Sequence, residues 1–198
     1  RCMTRSEAAA IFARLLAEKN GDTISTAANT KFADIPAHAW YSGYVKYLSN
    51  NGITYGKSKT IFAPNDAITR AEFTTMAVRF FDVYGDGDAE IMEQFSGFSD
   101  VSSGYWAAEY IKYAALHGWI NGYGDGSFHA EREINRAEVV TIVNRLLGRE
   151  ADEDYIADNL RKLNTFPDVT KRHWAYYAVM EAANAHTAVL GESESWSK

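Results

Sequence analysis

A four-residue motif that occurs three times fixes how this chain can fold. Its copies lie at residues 4–7, 69–72 and 135–138, and each reads Thr or Asn, then Arg, a small residue and Glu. The arginines are 65 and 66 residues apart, so the chain contains an internal repeat. Apolar residues follow each copy at the i, i+3, i+4 and i+7 positions. This spacing predicts three amphipathic helices, each with one buried face.

The polar residues of the motif predict how each helix starts. Thr or Asn is a favourable N-cap, and a Glu three residues later can bond the N-cap backbone N–H in a capping box. The arginines Arg5, Arg70 and Arg136 then occupy the first helical position, where the helix dipole disfavours a cation by about 0.3–1 kcal/mol. A cation placed there three times requires either a buried carboxylate partner or an anionic ligand.

Composition limits the function classes. The chain has 198 residues, 46% of them apolar and 23% charged, which fits a folded globular protein with a core. The net charge of −6 argues against general nucleic-acid binding. No apolar run is long enough to span a membrane. Cys2 is the single cysteine, so an internal disulfide and a cysteine-rich metal site are excluded.

A second motif recurs between the arginine helices. It consists of a phenylalanine, an aspartate two residues later and a tryptophan six residues after the aspartate. The copies are Phe32, Asp34 and Trp40; Phe98, Asp100 and Trp106; and Phe166, Asp168 and Trp174. Each tryptophan opens another segment with helical spacing, and the first two of these helices are predicted to end at Gly52 and Gly118.

A glycine-rich turn completes the repeat. It runs over residues 118–128 in the clearer copy and over 52–62 in the earlier one, where Lys-Ser-Lys replaces Tyr-Gly-Asp. We expect Gly122, Gly124 and Gly126 to adopt positive φ, with short β-like segments beside the turn.

The last repeat and the inserts depart from this pattern. His186 replaces the glycine that ends the second helix, and residues 187–198 are predicted to be a tail or linker. Residues 82–95 and 149–163 are inserts, and the second is acidic and compatible with a helix.

The first insert contains a segment similar to a calcium-binding loop. Residues 82–93 have the EF-hand glycine at loop position 6 and the glutamate at position 12. Tyr84, however, stands at position 3, where a carboxylate or amide is expected. A solvated acidic linker is therefore the better interpretation, and no metal or other cofactor is predicted.

Together these motifs resemble the S-layer homology (SLH) domain family. The family pattern combines Phe-x-Asp, a Trp-Ala helix, a Gly-Tyr-x-Asp-Gly-x-Phe turn and an Ile-Thr-Arg-Ala-Glu helix start. Residues 98–138 match almost throughout, and residues 32–72 match with the altered turn. The flanking halves match in part.

The resemblance implies a mainly α fold and a single SLH module over residues 1–198. Such a module is a pseudo-three-fold trimer with a central three-helix bundle, three prongs and short β-like turns. A half unit with its linker (1–31) would precede a repeat with an insert (32–97), a second repeat with an insert (98–165) and a partial repeat with a tail (166–198). The chain begins just before a helix cap, so we expect a fragment of a longer exported protein.

The resemblance also implies a function at the bacterial cell wall. SLH modules anchor exported proteins non-covalently by binding a secondary cell-wall polysaccharide, in many members one with pyruvylated N-acetylmannosamine, in grooves between repeats. We therefore expect an extracellular, monomeric binding module that neither enters the membrane nor binds nucleic acid. Catalysis is not expected, since a catalytic pair normally occurs once and each motif here is repeated. The alternative is a helical repeat scaffold that binds another protein at the cell surface.

The family's groove residues include the arginine of the repeated motif, so Arg5, Arg70 and Arg136 are candidate ligand contacts. Guanidinium suits a ketal carboxylate because it offers a planar fork of donors, and helix N–H groups can add to it. Chain order pairs Arg5 with Asp34 and Trp40, Arg70 with Asp100 and Trp106, and Arg136 with Asp168 and Trp174.

A structural interpretation stays open for each candidate. The arginines can form Arg–Asp pairs, and the aspartates can be cap or turn residues. The tryptophans can anchor the core instead of stacking on a sugar ring. Gly56 and Gly122 can serve backbone geometry, although a glycine also permits close ligand approach. The altered turn at 57–59 makes ligand binding in the groove nearest Arg70 an open question. The loss of the last turn at His186 does the same for a second groove.

Overall fold

The computed structural model describes residues 1–85, 95–189 and 195–197. Over these residues the fold is mainly α, as predicted, with seven α-helices, one short 3-10 helix and one two-stranded hairpin. The chain forms two compact units, Arg1–Ile134 and Asn135–Lys198. Most of the loop similar to an EF-hand lies outside the described residues. None of the helices in the described part of the chain has the length and apolar character needed to cross a membrane.

The first unit contains two pairs of helices, each pair being an arginine helix and the shorter helix that follows it. The pairs are α1 (Arg5–Asn20) with α2 (Ser42–Asn50), and α3 (Arg70–Tyr84) with α4 (Ala108–Leu116). Capping boxes start α1 and α3, in which Thr4 and Thr69 accept from the backbone of Glu7 and Glu72. The predicted helix starts are therefore confirmed.

Aromatic side chains join the two arginine helices. Phe12 on α1 packs against Phe73 and Phe80 on α3, with ring centroids 5.3 and 5.0 Å apart. All three side chains are fully buried. They belong to the apolar stripes predicted from the helical spacing, so the buried faces of α1 and α3 meet in one core.

Each glycine-rich turn of the first unit is packed on the phenylalanine that opens its repeat. Phe32 contacts Phe62, and Phe98 contacts Phe128, with centroids 5.5 and 5.2 Å apart. The helices before these turns end two residues ahead of Gly52 and Gly118, both of which have positive φ.

The glycines within the turns have different roles. Gly56 and Gly126 have φ of 80° and 78°, but the prediction of positive φ is wrong for Gly122 and Gly124. A Cβ on Gly122 would lie 2.5 Å from the Phe98 ring and 2.7 Å from the Ser127 carbonyl oxygen. Gly122 is therefore required by the close approach of its neighbours, and Gly56 by both its φ and a similar approach.

The second unit begins with the third arginine helix. Its helices are α5 (Arg136–Leu146), α6 (Glu153–Asn159) and α7 (Tyr176–Ala183), with a 3-10 helix at Leu160–Lys162. Asn135 and Glu138 form the predicted capping box of α5, and α6 confirms that the 149–163 insert is partly helical.

The predicted tail is wrong in part, because it forms a hairpin. Strand β1 (Thr187–Val189) pairs antiparallel with β2 (Ser195–Ser197). Trp196 is buried against Ile156, Tyr176 and Met180, and its backbone N–H donates to Asp152 at 3.0 Å. An apolar ring near the end of the sequence thus supplies part of the core of this unit.

The two turn glycines at 122 and 124 provide a matched test of the packing. We expect Gly122→Ala to lower the free energy of unfolding by about 1–3 kcal/mol, because the methyl group overlaps Phe98 and the Ser127 carbonyl. A Cβ on Gly124 has no heavy atom within 4 Å, so Gly124→Ala should change stability by less than about 0.5 kcal/mol. Urea unfolding followed by circular dichroism measures both, and equal stability of the two variants would contradict this packing.

Candidate functional site

Arg5 lies at the start of α1 but is only 3% exposed. Its Nε donates to the Phe62 carbonyl oxygen at 2.7 Å, and Nη1 lies 3.0 Å from Glu72 Oε1. The guanidinium carbon is 5.0 Å from the centroid of the Phe62 ring. Its other terminal nitrogen, Nη2, has no hydrogen-bond or ion-pair partner among the described residues.

Glu72 performs two tasks with one carboxylate. Oε2 accepts from the Thr69 backbone N–H at 3.1 Å and completes the capping box of α3. Oε1 pairs with Arg5 at the start of α1. The carboxylate partner of Arg5 is therefore the capping glutamate of the next arginine helix, and the hypothesis of an Arg–Asp pair is wrong for this arginine.

The aspartates hold the carbonyl group that receives the arginine. Asp34 accepts from the N–H groups of Phe62 and Ala63, the closest bonds being 2.9 and 2.6 Å. The next repeat has the same arrangement, in which Asp100 accepts from Phe128 and His129 at 2.7 Å each. The interpretation of these aspartates as turn residues is confirmed for both copies.

Arg70 repeats much of the Arg5 environment. It is 6% exposed, and its Nε donates to the Phe128 carbonyl oxygen at 2.9 Å. Nη2 donates to the Asn121 carbonyl oxygen at 3.2 Å, and the Phe128 and Tyr123 rings lie 4.5 and 5.2 Å from the guanidinium carbon. Asp34 and Arg5 thus meet at Phe62, and Asp100 and Arg70 meet at Phe128, as chain order predicts.

Backbone carbonyl groups accept hydrogen bonds from the N–H groups at the starts of α1 and α3. The N–H groups of Arg5 and Ser6 donate to Asp66 and Pro64, and those of Arg70 and Ala71 donate to Arg132 and Ala130. All four bonds are between 2.8 and 3.0 Å. The expectation that free helix N–H groups assist ligand binding is therefore wrong for these two helices.

A groove of about 340 Å³ runs past Arg5 along α3. The walls include Gly56 and Lys57 from the first glycine turn, Arg79 from α3, and Trp106 from the following repeat. Trp106 therefore shares a groove with Arg5, which chain order did not predict. The altered turn contributes to the Arg5 groove, in contrast to the expectation that it would affect the groove nearest Arg70.

The tryptophans of the repeats are not core anchors. Trp40, Trp106 and Trp174 are 55%, 55% and 65% exposed, respectively. The interpretation that places them in the core is therefore wrong, and Trp106 presents a large part of its ring to solvent at the edge of the groove.

Arg79 was missed by the sequence analysis. Its Nε and Nη2 donate to the Tyr110 hydroxyl at 3.3 and 3.1 Å. Its guanidinium carbon is 4.7 Å from the Tyr55 ring centroid and 4.9 Å from that of Tyr110. A spacing in the sequence points to this residue, because an arginine follows each repeated arginine by nine positions, at Arg14, Arg79 and Arg145.

The groove is positive although the whole chain is acidic. Three cationic side chains, from Arg5, Lys57 and Arg79, line it together with the two carboxylates of Glu72 and Glu131. Glu131 accepts a hydrogen bond from the Tyr105 hydroxyl. Burial, together with this bond, raises the pKa of Tyr105, so the hydroxyl keeps its proton at neutral pH.

The third set of candidates lacks the arrangement of the first two. Arg136 and Asp168 are both exposed, and neither side chain has a hydrogen bond or an ion pair with another described residue. No glycine turn with a phenylalanine follows Asp168, so the carbonyl group that links the two side chains in the earlier repeats is missing. Within the described chain, no cluster of three or more metal-ligating side chains occurs.

The fold and the site define a protein of helical repeats in which an aspartate, a phenylalanine carbonyl group and a buried arginine recur. The S-layer homology domain model matches residues 31–74 and 97–140, and each match contains one Phe-x-Asp motif, its tryptophan, a glycine-rich turn and one repeated arginine. The chain therefore belongs to the S-layer homology domain family.

Several relatives of the chain are named as surface or anchoring proteins. Cell surface glycoprotein 1 of Acetivibrio thermocellus is 32% identical over 98% of this chain and 8% of its own length. The cellulosome-anchoring protein of the same organism is 30% identical over 96% of the chain and 40% of its own length. The Surface-layer 125 kDa protein of Lysinibacillus sphaericus is 32% identical over 73% of the chain and 12% of its own length.

This chain thus spans less than half the length of these relatives. Membership of the family, together with the cell-surface relatives, indicates a cell-surface, cell-wall-associated location.

The pH dependence of stability tests the role of Asp100. Burial alone would raise the pKa of its carboxyl, but the bonds from Phe128 and His129 outweigh burial and hold the pKa below its ordinary value. The ionised Asp100 carboxylate therefore stabilises the folded state above the unfolded-state pKa of about 4. This stabilisation is lost as the pH falls through the lower folded-state pKa. We expect Asp100→Asn to cost about 1–2 kcal/mol at pH 7, and the difference from the parent to shrink toward pH 2.

The corresponding third-copy variant, Asp168→Asn, serves as the control. The Asp168 side chain accepts no hydrogen bond from the described residues, so its replacement should leave stability unchanged within about 0.5 kcal/mol at either pH. Urea unfolding at several pH values measures both variants. A loss for Asp100→Asn that stays constant between pH 7 and pH 2 would contradict the carboxylate role.

Proposed function

We propose that this chain anchors a larger cell-surface protein to the bacterial cell wall by binding an anionic polysaccharide. The observation that carries the proposal is Arg5, a nearly buried guanidinium that lines a groove and has one terminal nitrogen without a protein partner among the described residues. Anchoring also agrees with the cellulosome-anchoring and surface-layer relatives.

The preferred ligand group is a carboxylate, such as that of a pyruvate ketal on N-acetylmannosamine. Phe62 and Glu72 fix the Arg5 guanidinium before any ligand arrives, so little side-chain entropy is lost when an anion binds. Low solvent exposure strengthens a charge-assisted hydrogen bond at the remaining nitrogen. Lys57 adds a second positive charge on the same wall.

Trp106 supplies the apolar surface that a sugar ring requires. It is more than half exposed and borders the groove of Arg5, so a saccharide held through its carboxylate can place one face of its ring on the indole. Aromatic rings are effective at such sites because they add contact area with few rotatable bonds.

Arg70 is the candidate centre of a second site, since it donates to the Phe128 carbonyl group and packs on the Phe128 ring as Arg5 does at Phe62. Two sites on one chain would increase retention through avidity. We propose a binding module that performs no catalysis, in keeping with the repetition of its motifs.

Replacement of Trp106 tests this proposal with little risk to the fold. We expect Trp106→Ala to weaken binding of pyruvylated N-acetylmannosamine about tenfold, equivalent to about 1.4 kcal/mol, because a contact surface is lost. Trp106→Phe should retain most of the affinity, and both variants should unfold at the same urea concentration as the parent. Titration calorimetry measures the affinities.

The same titration with N-acetylmannosamine that lacks pyruvate separates the two contacts. The parent protein should bind the neutral sugar at least tenfold more weakly, because Arg5 then faces no carboxylate. If the folded parent binds neither sugar nor a purified pyruvylated wall polysaccharide, the polysaccharide proposal fails and a protein-binding scaffold becomes the preferred function.

A further inference from the structure

We propose that Arg79 is a second anion-recognition residue of the groove, so that the groove selects a saccharide with acidic groups at two points. The inference rests on the proposed function, because it concerns the ligand of the same groove. It concerns a different residue from Arg5, because Arg79 lies two helical turns beyond the capping glutamate that pairs with Arg5.

Arg79 is a cation without a carboxylate partner. Both of its hydrogen bonds go to the neutral Tyr110 hydroxyl, and no ion pair involves it in the described part of the chain. Lys57, by comparison, lies 3.4 Å from an Asp66 oxygen and 3.9 Å from a Glu72 oxygen. The positive charge of Arg79 therefore remains uncompensated at the groove wall.

Two tyrosines hold the Arg79 guanidinium in place. Tyr55 and Tyr110 lie within 4.9 Å of the guanidinium carbon, and the Tyr110 hydroxyl accepts from two of its nitrogens. Nη1 has no hydrogen-bond partner among the described residues. A planar guanidinium with an unused donor and a fixed position suits a carboxylate or a phosphate group.

The spacing along α3 separates the two recognition points. Glu72, which contacts Arg5, and Arg79 are seven residues apart, which corresponds to about 10 Å along the helix. Thr75 and Met76 lie between them on the same helix face, and all four residues line the groove. A monosaccharide with one carboxylate can satisfy only one end, whereas two linked acidic sugars can reach both.

The alternative is that Arg79 only joins two helices. Arg14 on α1 has this kind of contact, since its Nε and Nη2 donate to the Tyr44 hydroxyl at 3.2 and 3.1 Å. Arg14 does not line the groove that contains Arg79. A purely structural Arg79 would affect stability, and a recognition residue would affect the choice between ligands, so the test must measure both.

The experiment compares two disaccharides of N-acetylmannosamine, one with a single pyruvate and one with two. Binding is followed through the indole N–H resonance of Trp106, which reports this groove alone and is assigned with Trp106→Phe. The parent should prefer the doubly pyruvylated disaccharide about tenfold. Arg79→Gln should remove this preference and leave affinity for the singly pyruvylated disaccharide within about twofold, while Tyr110→Phe should reduce the preference in part.

The other outcomes separate the two proposals. A parent that binds neither disaccharide would overturn the proposed function and this inference with it. A parent that binds both equally, or an Arg79→Gln protein that keeps the tenfold preference, would overturn the inference alone. Equal loss of both affinities in Arg79→Gln with reduced stability to urea would assign Arg79 a structural role, and Arg14→Gln provides the stability reference.

Discussion

The structure of the first unit depends on a junction made by an aspartate, a phenylalanine carbonyl group and an arginine. Asp34 fixes the backbone at Phe62, and the carbonyl group of Phe62 then receives Arg5. Asp100, Phe128 and Arg70 repeat the arrangement. The arginine and its carbonyl partner are 57 residues apart in the first copy and 58 in the second. Each junction therefore connects a helix start to a turn of the following repeat. The buried guanidinium is stabilised there because Nε and one terminal nitrogen of each arginine have an acceptor within reach.

In the proposed function, the same junction also supplies the group that binds the anion. Glu72 links the starts of α1 and α3 and neutralises part of the Arg5 charge, while Nη2 keeps its capacity to donate. Arg5 therefore stabilises the fold and, in the proposed function, also recognises the ligand. A substitution of Arg5 would disturb both properties. Substitutions of Trp106 or Arg79, which line the same groove, should affect the proposed recognition with less effect on the core.

Much of this architecture was predictable from local sequence patterns. Capping boxes and apolar helical stripes involve residues close in the sequence, so the starts of α1, α3 and α5 were predicted correctly. The 66-residue offset between Asp34 and Asp100 identified these two aspartates as equivalent positions of the repeat. Long-range pairing was less predictable. Nothing in the sequence indicates that Glu72 pairs with Arg5 or that Trp196 packs into the core of the second unit. Nor does it indicate that carbonyl groups of the segments between the turns and the arginine helices accept from the helix N–H groups. The exposure of the repeated tryptophans could not be predicted, because an aromatic ring at a helix start can face either the core or the solvent.

The most direct test of the account is a crystal structure of this chain with pyruvylated N-acetylmannosamine. We expect the ketal carboxylate to lie within hydrogen-bond distance of Arg5 Nη2, about 3 Å, while Phe62 and Glu72 keep their contacts with the same guanidinium. The sugar ring should rest against Trp106. A sugar bound in this groove with its carboxylate directed to solvent, or bound elsewhere with the groove empty, would contradict the claim that Arg5 is held ready for an anion.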